Sequence, residues 1–215
     1  MSINEVLQKI KWMLVPYLAV LLICLLIKII YTRQTIYFTV NGIYSSVGDF
    51  LAPFATDLGN GWFAVALSLI LLLFNYRKGL ILATSYIVTS LLAQAVKFAV
   101  NSPRPKLYFQ DQVSKIHFVK GVDILITHSF PSGHTVTAFS SAVVLTYLSK
   151  NSRWGMFYLL AAIMVGYSRM YLSEHFFEDV VAGSVIGAIS TIIWIYWLDN
   201  KTFIHQPKWQ RGLLR

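Results

Sequence analysis

The chain has 215 residues, of which 56% are apolar and 13% charged, and its mean hydropathy is +0.60. Soluble domains carry about a quarter charged residues, so the composition excludes an ordinary soluble domain and points to a polytopic membrane protein. The net charge of +9 does not indicate a nucleic-acid partner, because the basic residues form no long run and are divided by apolar spans.

Six apolar segments follow one another. The first runs from Trp12 to Ile30, with Lys28 able to snorkel to the interface. Lys9 and Lys11 precede it as in a signal peptide, but Lys28-Ile29-Ile30-Tyr31 is no cleavage site, so an uncleaved anchor helix is expected. The mixed stretch Gln34 to Gly61 predicts an interfacial, partly helical segment. The second span, Trp62 to Phe74, is short unless it borrows residues from Asp57 onward. The third is Gly79 to Val100, the fourth Pro131 to Leu148, the fifth Trp154 to Tyr171 and the sixth Asp179 to Leu198. Each must satisfy its own backbone hydrogen bonds in lipid, which predicts helices. The expected fold is an all-α, six-transmembrane-helix bundle, a single domain over residues 1–215. The lone Cys24 lies inside the first span, so neither an internal disulfide nor a cysteine metal site is expected.

With the N-terminus inside, ten Lys and Arg fall on the inner side, Arg215 among them, and eight on the outer. Discounting Lys97, Arg104 and Arg169, which chemistry would claim, leaves ten against five and favours cytoplasmic termini. The loop Asn101 to Phe130 and the segment around His175 then face outward.

Three clusters share that outer face. Lys97 and Arg104 sit at the exit of the third span, where Pro103 and Pro105 stop the helix. Fixed cations of this kind suit phosphate oxygens, although a snorkelling lysine and an arginine among headgroups would look the same. Pro131-Ser132-Gly133-His134 opens the fourth span. Unpaired N–H groups at a helix start bind anions, Gly133 allows close approach, Ser132 offers a hydroxyl and His134 a proton; a plain capped helix start is the ordinary alternative. The third cluster, Tyr167 to Asp179, packs an Arg, a His and three acids into a hydrocarbon-rich chain, and ionisable groups there mark function by default. His175 and Asp179 stand four apart, which on a helix puts them on one face, the carboxylate near enough to hold the imidazole. An interfacial ion-pair set, His175 with Asp179 and Arg169 with Glu174 or Glu178, is the alternative. His117 and His128 are expected to be solvated loop histidines, Tyr167 and Tyr171 belt residues, and Gly183 with Gly187 a helix-packing pair within the bundle.

Taken together, Lys97…Arg104-Pro105, Pro131-Ser132-Gly133-His134 and Ser168-Arg169…His175…Asp179 form a composite pattern. It resembles the type 2 phosphatidic acid phosphatase superfamily, and the chain's compact length resembles its bacterial members. The resemblance implies that His175 attacks phosphorus to form a phosphohistidine, with Asp179 as its orienter. His134 would protonate the leaving group, and Lys97, Arg104, Ser132, Gly133 and Arg169 would hold the phosphate oxygens. It further implies a lipid phosphate or pyrophosphate substrate, a bacterial inner-membrane location, and no cofactor or metal. Two rivals remain open at this level: a phosphotransferase using the same histidine, and an anion-binding transporter. Oligomeric state is open as well.

Overall fold

The structure, a computed structural model, describes residues 2–214, so Arg215 of the charge count lies outside the described residues. Among those residues it is helical with no strand. Helix α1 is Ile3–Ile30, started by the Ser2 side chain accepting from the Glu5 N–H. The mixed stretch resolves into two short helices, α2 (Arg33–Gly42) and α3 (Ser46–Asp57). Helix α4 (Gly61–Phe74) meets α3 at 52°. Asn75 alone forms the corner into α5 (Tyr76–Val100): its N–H closes α4 on Leu71, and its side chain caps α5 at Lys78. After the short α6 (Pro105–Tyr108) come α7 (Gly133–Leu148), α8 (Trp154–Tyr171) and α9 (Phe177–Asp199).

By length and apolarity, three helices qualify as membrane spans, α1, α9 and α5 with its continuation to Tyr108; the bent α3–α4 pair makes a fourth. The expected six-helix bundle therefore exceeds what these criteria establish. The two left out are α7 and α8; the 16 residues of α7 span about 24 Å against about 30 Å of hydrocarbon. Helix α7 stands apart in its surroundings. Its sequence carries Thr135, Thr137, Ser140, Ser141 and Thr146, all buried. It is the interior helix, packed on α1, α4, α5, α8 and α9, and has little lipid to face.

Small residues let the other helices close on α7, as van der Waals packing in lipid requires. A Cβ on Gly183 would meet the Ser132 carbonyl at 2.7 Å, and one on Gly187 the Val136 carbonyl at 2.4 Å. The glycine pair thus joins α9 to α7 inside the bundle, as expected. At the far end Arg77 of α5 bonds Asp199 of α9 at 2.5 Å and the Tyr147 hydroxyl of α7 donates to the same carboxylate. Leu18, Leu22, Leu25 and Ile29 of α1, Ile87 and Leu91 of α5, and Ile189 and Ile193 of α9 are exposed, an apolar belt of the kind that lipid covers.

Gly187→Ala drives a Cβ into backbone that cannot rotate away. It is expected to destabilise the α7–α9 contact by about 1–3 kcal/mol, read as a lowered thermal unfolding midpoint of the purified protein.

Candidate active site

The three clusters are placed by the ends of four helices. Helix α5 stops at Asn101, which takes a left-handed conformation (φ 42°) and bonds its N–H back to Lys97. The loop then folds over this end: the Ser129 N–H donates to Ser102 O at 3.0 Å, and the Arg104 N–H to Ile126 O at 2.8 Å. Carbonyls of the same loop aim the two cations, Lys97 Nζ donating to His128 O at 2.7 Å and Arg104 Nε to Thr127 O at 2.9 Å. Arg169, in the last turn of α8, donates from Nη1 to Thr56 Oγ1 of α3 at 2.8 Å.

Between α8 and α9 the chain makes a tight turn. The N–H groups of Glu174 and His175 both donate to Arg169 O, at 3.0 and 3.2 Å. Ser173 is left-handed there (φ 59°), a conformation that costs a non-glycine residue about 1 kcal/mol or more. Helix α2 offsets that cost, since Tyr37 Oη and Asn41 Nδ2 both donate to Ser173 Oγ at 3.0 Å.

His175 thus sits outside any helix, which corrects the expectation that His175 and Asp179 share a helix face. A four-residue spacing is also met by a tight turn leading into a helix, and here Asp179 belongs to the first turn of α9. The pair still meets: His175 Nδ1 lies 3.5 Å from Asp179 Oδ2, without a hydrogen-bond partner. The carboxylate is anchored by Ser129 Oγ at 2.5 Å and the Phe176 N–H at 2.8 Å. His175 is 1% exposed, and burial, followed by the charges of Arg104, Arg169 and Lys97, holds its imidazole well below the ordinary histidine range.

Lys97, Arg104, Gly133, His134, Arg169 and His175 line one cavity of about 270 Å³. Ser132 does not: it is buried behind the start of α7, where its Oγ accepts from Thr135 Oγ1 at 2.8 Å and, weakly, from the Thr135 N–H at 3.4 Å. Its oxygen caps the start of α7 and so supports the Gly133 turn. Gly59, at the α3–α4 bend, completes the wall; a Cβ there would meet the His134 carbonyl at 2.6 Å.

Glu174, 2% exposed, pairs with Arg169 at 3.3 Å, as the ion-pair alternative allowed, and also with Arg104, which was not foreseen, so the two cations share one buried carboxylate. Glu178 instead pairs with Lys28 and Arg33, tying α1 and α2 to α9. His117 is no solvated histidine: it lies 2.9 Å from Asp49 and stacks on Tyr44. Tyr171 is buried and donates to Asp49 at 2.6 Å, which corrects the expectation of a belt residue, whereas Tyr167 is exposed. His128 is half-buried, its carbonyl taken by Lys97 and its ring against Phe98 at 5.2 Å.

Residues 78–203 match the family described as the PAP2 superfamily. An undecaprenyl-diphosphatase of Sulfolobus acidocaldarius is 27% identical over 87% of this chain and 88% of its own. Phosphatidylglycerophosphatase B of Bacillus subtilis is 32% identical over 66% of this chain, which spans 64% of that protein. The crystal structure of Aquifex aeolicus LpxE superimposes with a TM-score of 0.67 at 28% identity, over 75% of this chain and 93% of that one.

Glu174→Gln leaves two buried guanidinium groups without their shared counter-charge. The expected loss is about 3–5 kcal/mol of stability, measured by thermal unfolding; an unchanged midpoint would show that the carboxylate is dispensable.

Proposed function

The chain belongs to the PAP2 superfamily, and we propose on that premise that it is a membrane lipid phosphatase working through a phosphohistidine on His175. The observation that carries this reading is the convergence of three cations, a helix start and two histidines on one cavity, with Asp179 behind the buried histidine.

In the first step the lone pair of neutral His175 Nε2 attacks phosphorus, and the bond to the leaving oxygen breaks. His134 gives that oxygen its proton. Asp179 stabilises the cation that develops on His175, the role a buried carboxylate plays behind any such imidazole. Lys97, Arg104, Arg169 and the Gly133 N–H hold the non-bridging oxygens as charge shifts outward, so catalysis rests on positioning and electrostatics. In the second step His134 takes a proton from water, which displaces the phosphoryl group from His175 and releases phosphate.

Six crossings are the architecture that best suits this site, with α1, the bent α3–α4 pair, α5, α7, α8 and α9 each traversing the bilayer. The basic-residue count supports cytoplasmic termini and a catalytic cavity at the outer interface. A lipid would reach it sideways, headgroup into the charged cavity and tails in the bilayer. The long match to an undecaprenyl-diphosphatase favours a polyprenyl pyrophosphate, ahead of phosphatidylglycerophosphate and a lipid A phosphate.

Phosphate release from a panel of these lipids tests the reading, with His175→Ala as the blank. That variant should lose about 10⁴-fold or more in turnover; retained hydrolysis would rule the mechanism out. The depressed pKa of His175 has a sign to check as well. The imidazole stays neutral, and nucleophilic, below the usual histidine value of about 6.5. The acid limb of kcat/KM, corrected for ionisation of the substrate, should therefore lie below that pH, and a limb above it would contradict the assignment.

A further inference from the structure

We propose that the end of the bundle opposite the catalytic cavity carries a second anion site, which holds the phosphate of an acidic phospholipid from that leaflet. A cavity of about 390 Å³ opens there, lined by Lys9 of α1, Arg77 and Lys78 in the first turn of α5, and Lys150 and Ser152 beyond α7. Arg77 and Lys97 are twenty residues apart on α5, about 30 Å along a helix. The two cavities are thus separated by the thickness of the hydrocarbon core.

The charge balance of this cavity is one-sided. Four cations from three parts of the chain face one space. The carboxylate beside them, Asp199, is committed to Arg77 at 2.5 and 3.1 Å and accepts the Tyr147 hydroxyl at 2.5 Å. Lys9 Nζ sits over the Tyr147 ring, 4.6 Å from its centroid. Among the described residues none of Lys9, Lys78 and Lys150 has a carboxylate within ion-pair distance. Like charges that converge on a shared cavity repel one another, and a bound anion removes that repulsion. Lysines scattered to anchor loops would have no such common focus.

The surroundings select a lipid over a soluble anion. Trp12 and Trp154 are exposed nearby on α1 and α8, and the Arg153 guanidinium lies over the Trp12 ring at 5.7 Å. Exposed tryptophans mark headgroup level. Leu148 contributes an apolar wall to the cavity. A basic pocket between helices at that level fits an anionic phospholipid headgroup, with phosphate among the lysines and chains along the bundle.

The test uses full-length protein in phosphatidylcholine nanodiscs, with and without phosphatidylglycerol, and in phosphatidylcholine nanodiscs with added inorganic phosphate. Native mass spectrometry reads retained phosphatidylglycerol, and thermal unfolding reads stabilisation. The Lys78→Ala/Lys150→Ala protein should retain about tenfold less phosphatidylglycerol than wild type, with phosphate release from substrate unchanged. Lys78→Gln/Lys150→Gln, which keeps most of each aliphatic stem, should show the same loss if the alanine pair folds poorly. Lys115→Ala/Lys120→Ala, on the loop at the catalytic end, should retain lipid normally. Equal retention in the wild-type and Lys78/Lys150 proteins would overturn the proposal. So would equal stabilisation by inorganic phosphate, which would assign the cavity to a soluble anion.

Discussion

The candidate active site of this protein depends on how three cations are kept at the edge of a hydrocarbon-rich bundle. Lys97, Arg104 and Arg169 are each at most 8% exposed, and burial of unpaired charge is among the costliest things a fold can do. Glu174 makes the arrangement tenable by taking both guanidinium groups, while loop carbonyls take the Lys97 ammonium and the Arg104 Nε. The local balance remains positive, since one carboxylate serves two arginines and Asp179 is turned toward His175. That residual positive charge suits a phosphate dianion, and it adds to burial in holding the His175 imidazole well below the ordinary histidine range.

The same economy explains why the site is built from helix ends and turns instead of helix faces. Lys97, Arg104, His134 and Arg169 lie at or next to ends of α5, α6, α7 and α8, and His175 lies in the turn before α9. Helix ends expose backbone donors and acceptors to one another, so the loop from Asn101 to Phe130 can lace the clusters together with main-chain bonds. The left-handed Ser173 is the strained point of this assembly, and Tyr37 and Asn41 of α2 hold it. The two short helices therefore serve the site directly: α2 secures the turn that carries His175, and α3 supplies Thr56 to Arg169.

Helix α7 fixes how these ends come into register. It is buried on nearly every side, and the glycines of α9 bring that helix to within backbone contact of it. At the opposite end Arg77, Tyr147 and Asp199 join α5, α7 and α9, so the bundle is clamped at both interfaces. Each interface then presents a cationic cavity. The one at His175 is balanced by Glu174, whereas the other is balanced only at Arg77.

Much of this was legible along the chain, because membrane burial makes the chemistry of single residues conspicuous. Apolar runs had to be helices, a lysine or arginine beside them needed a reason, and Pro103, Pro105 and the Pro-Ser-Gly-His start marked where helices stop and begin. Spacing in sequence could not distinguish a helix face from a tight turn, so His175 and Asp179 were paired correctly but by the wrong geometry. Residue type alone also could not say that Ser132 caps while Gly133 faces the cavity, or that His117 and Tyr171 share Asp49. Glu174 looked no different from Glu178 on paper. Which acid meets the arginines depends on the turn at Ser173 and on the fold of a loop some fifty to seventy residues away, and charge pairing over that separation is decided only when the helices pack. Sequence determined the class, the helices and the candidate site residues through local physical chemistry; the tertiary structure decided their partners, because counter-charges and caps come from distant parts of the chain.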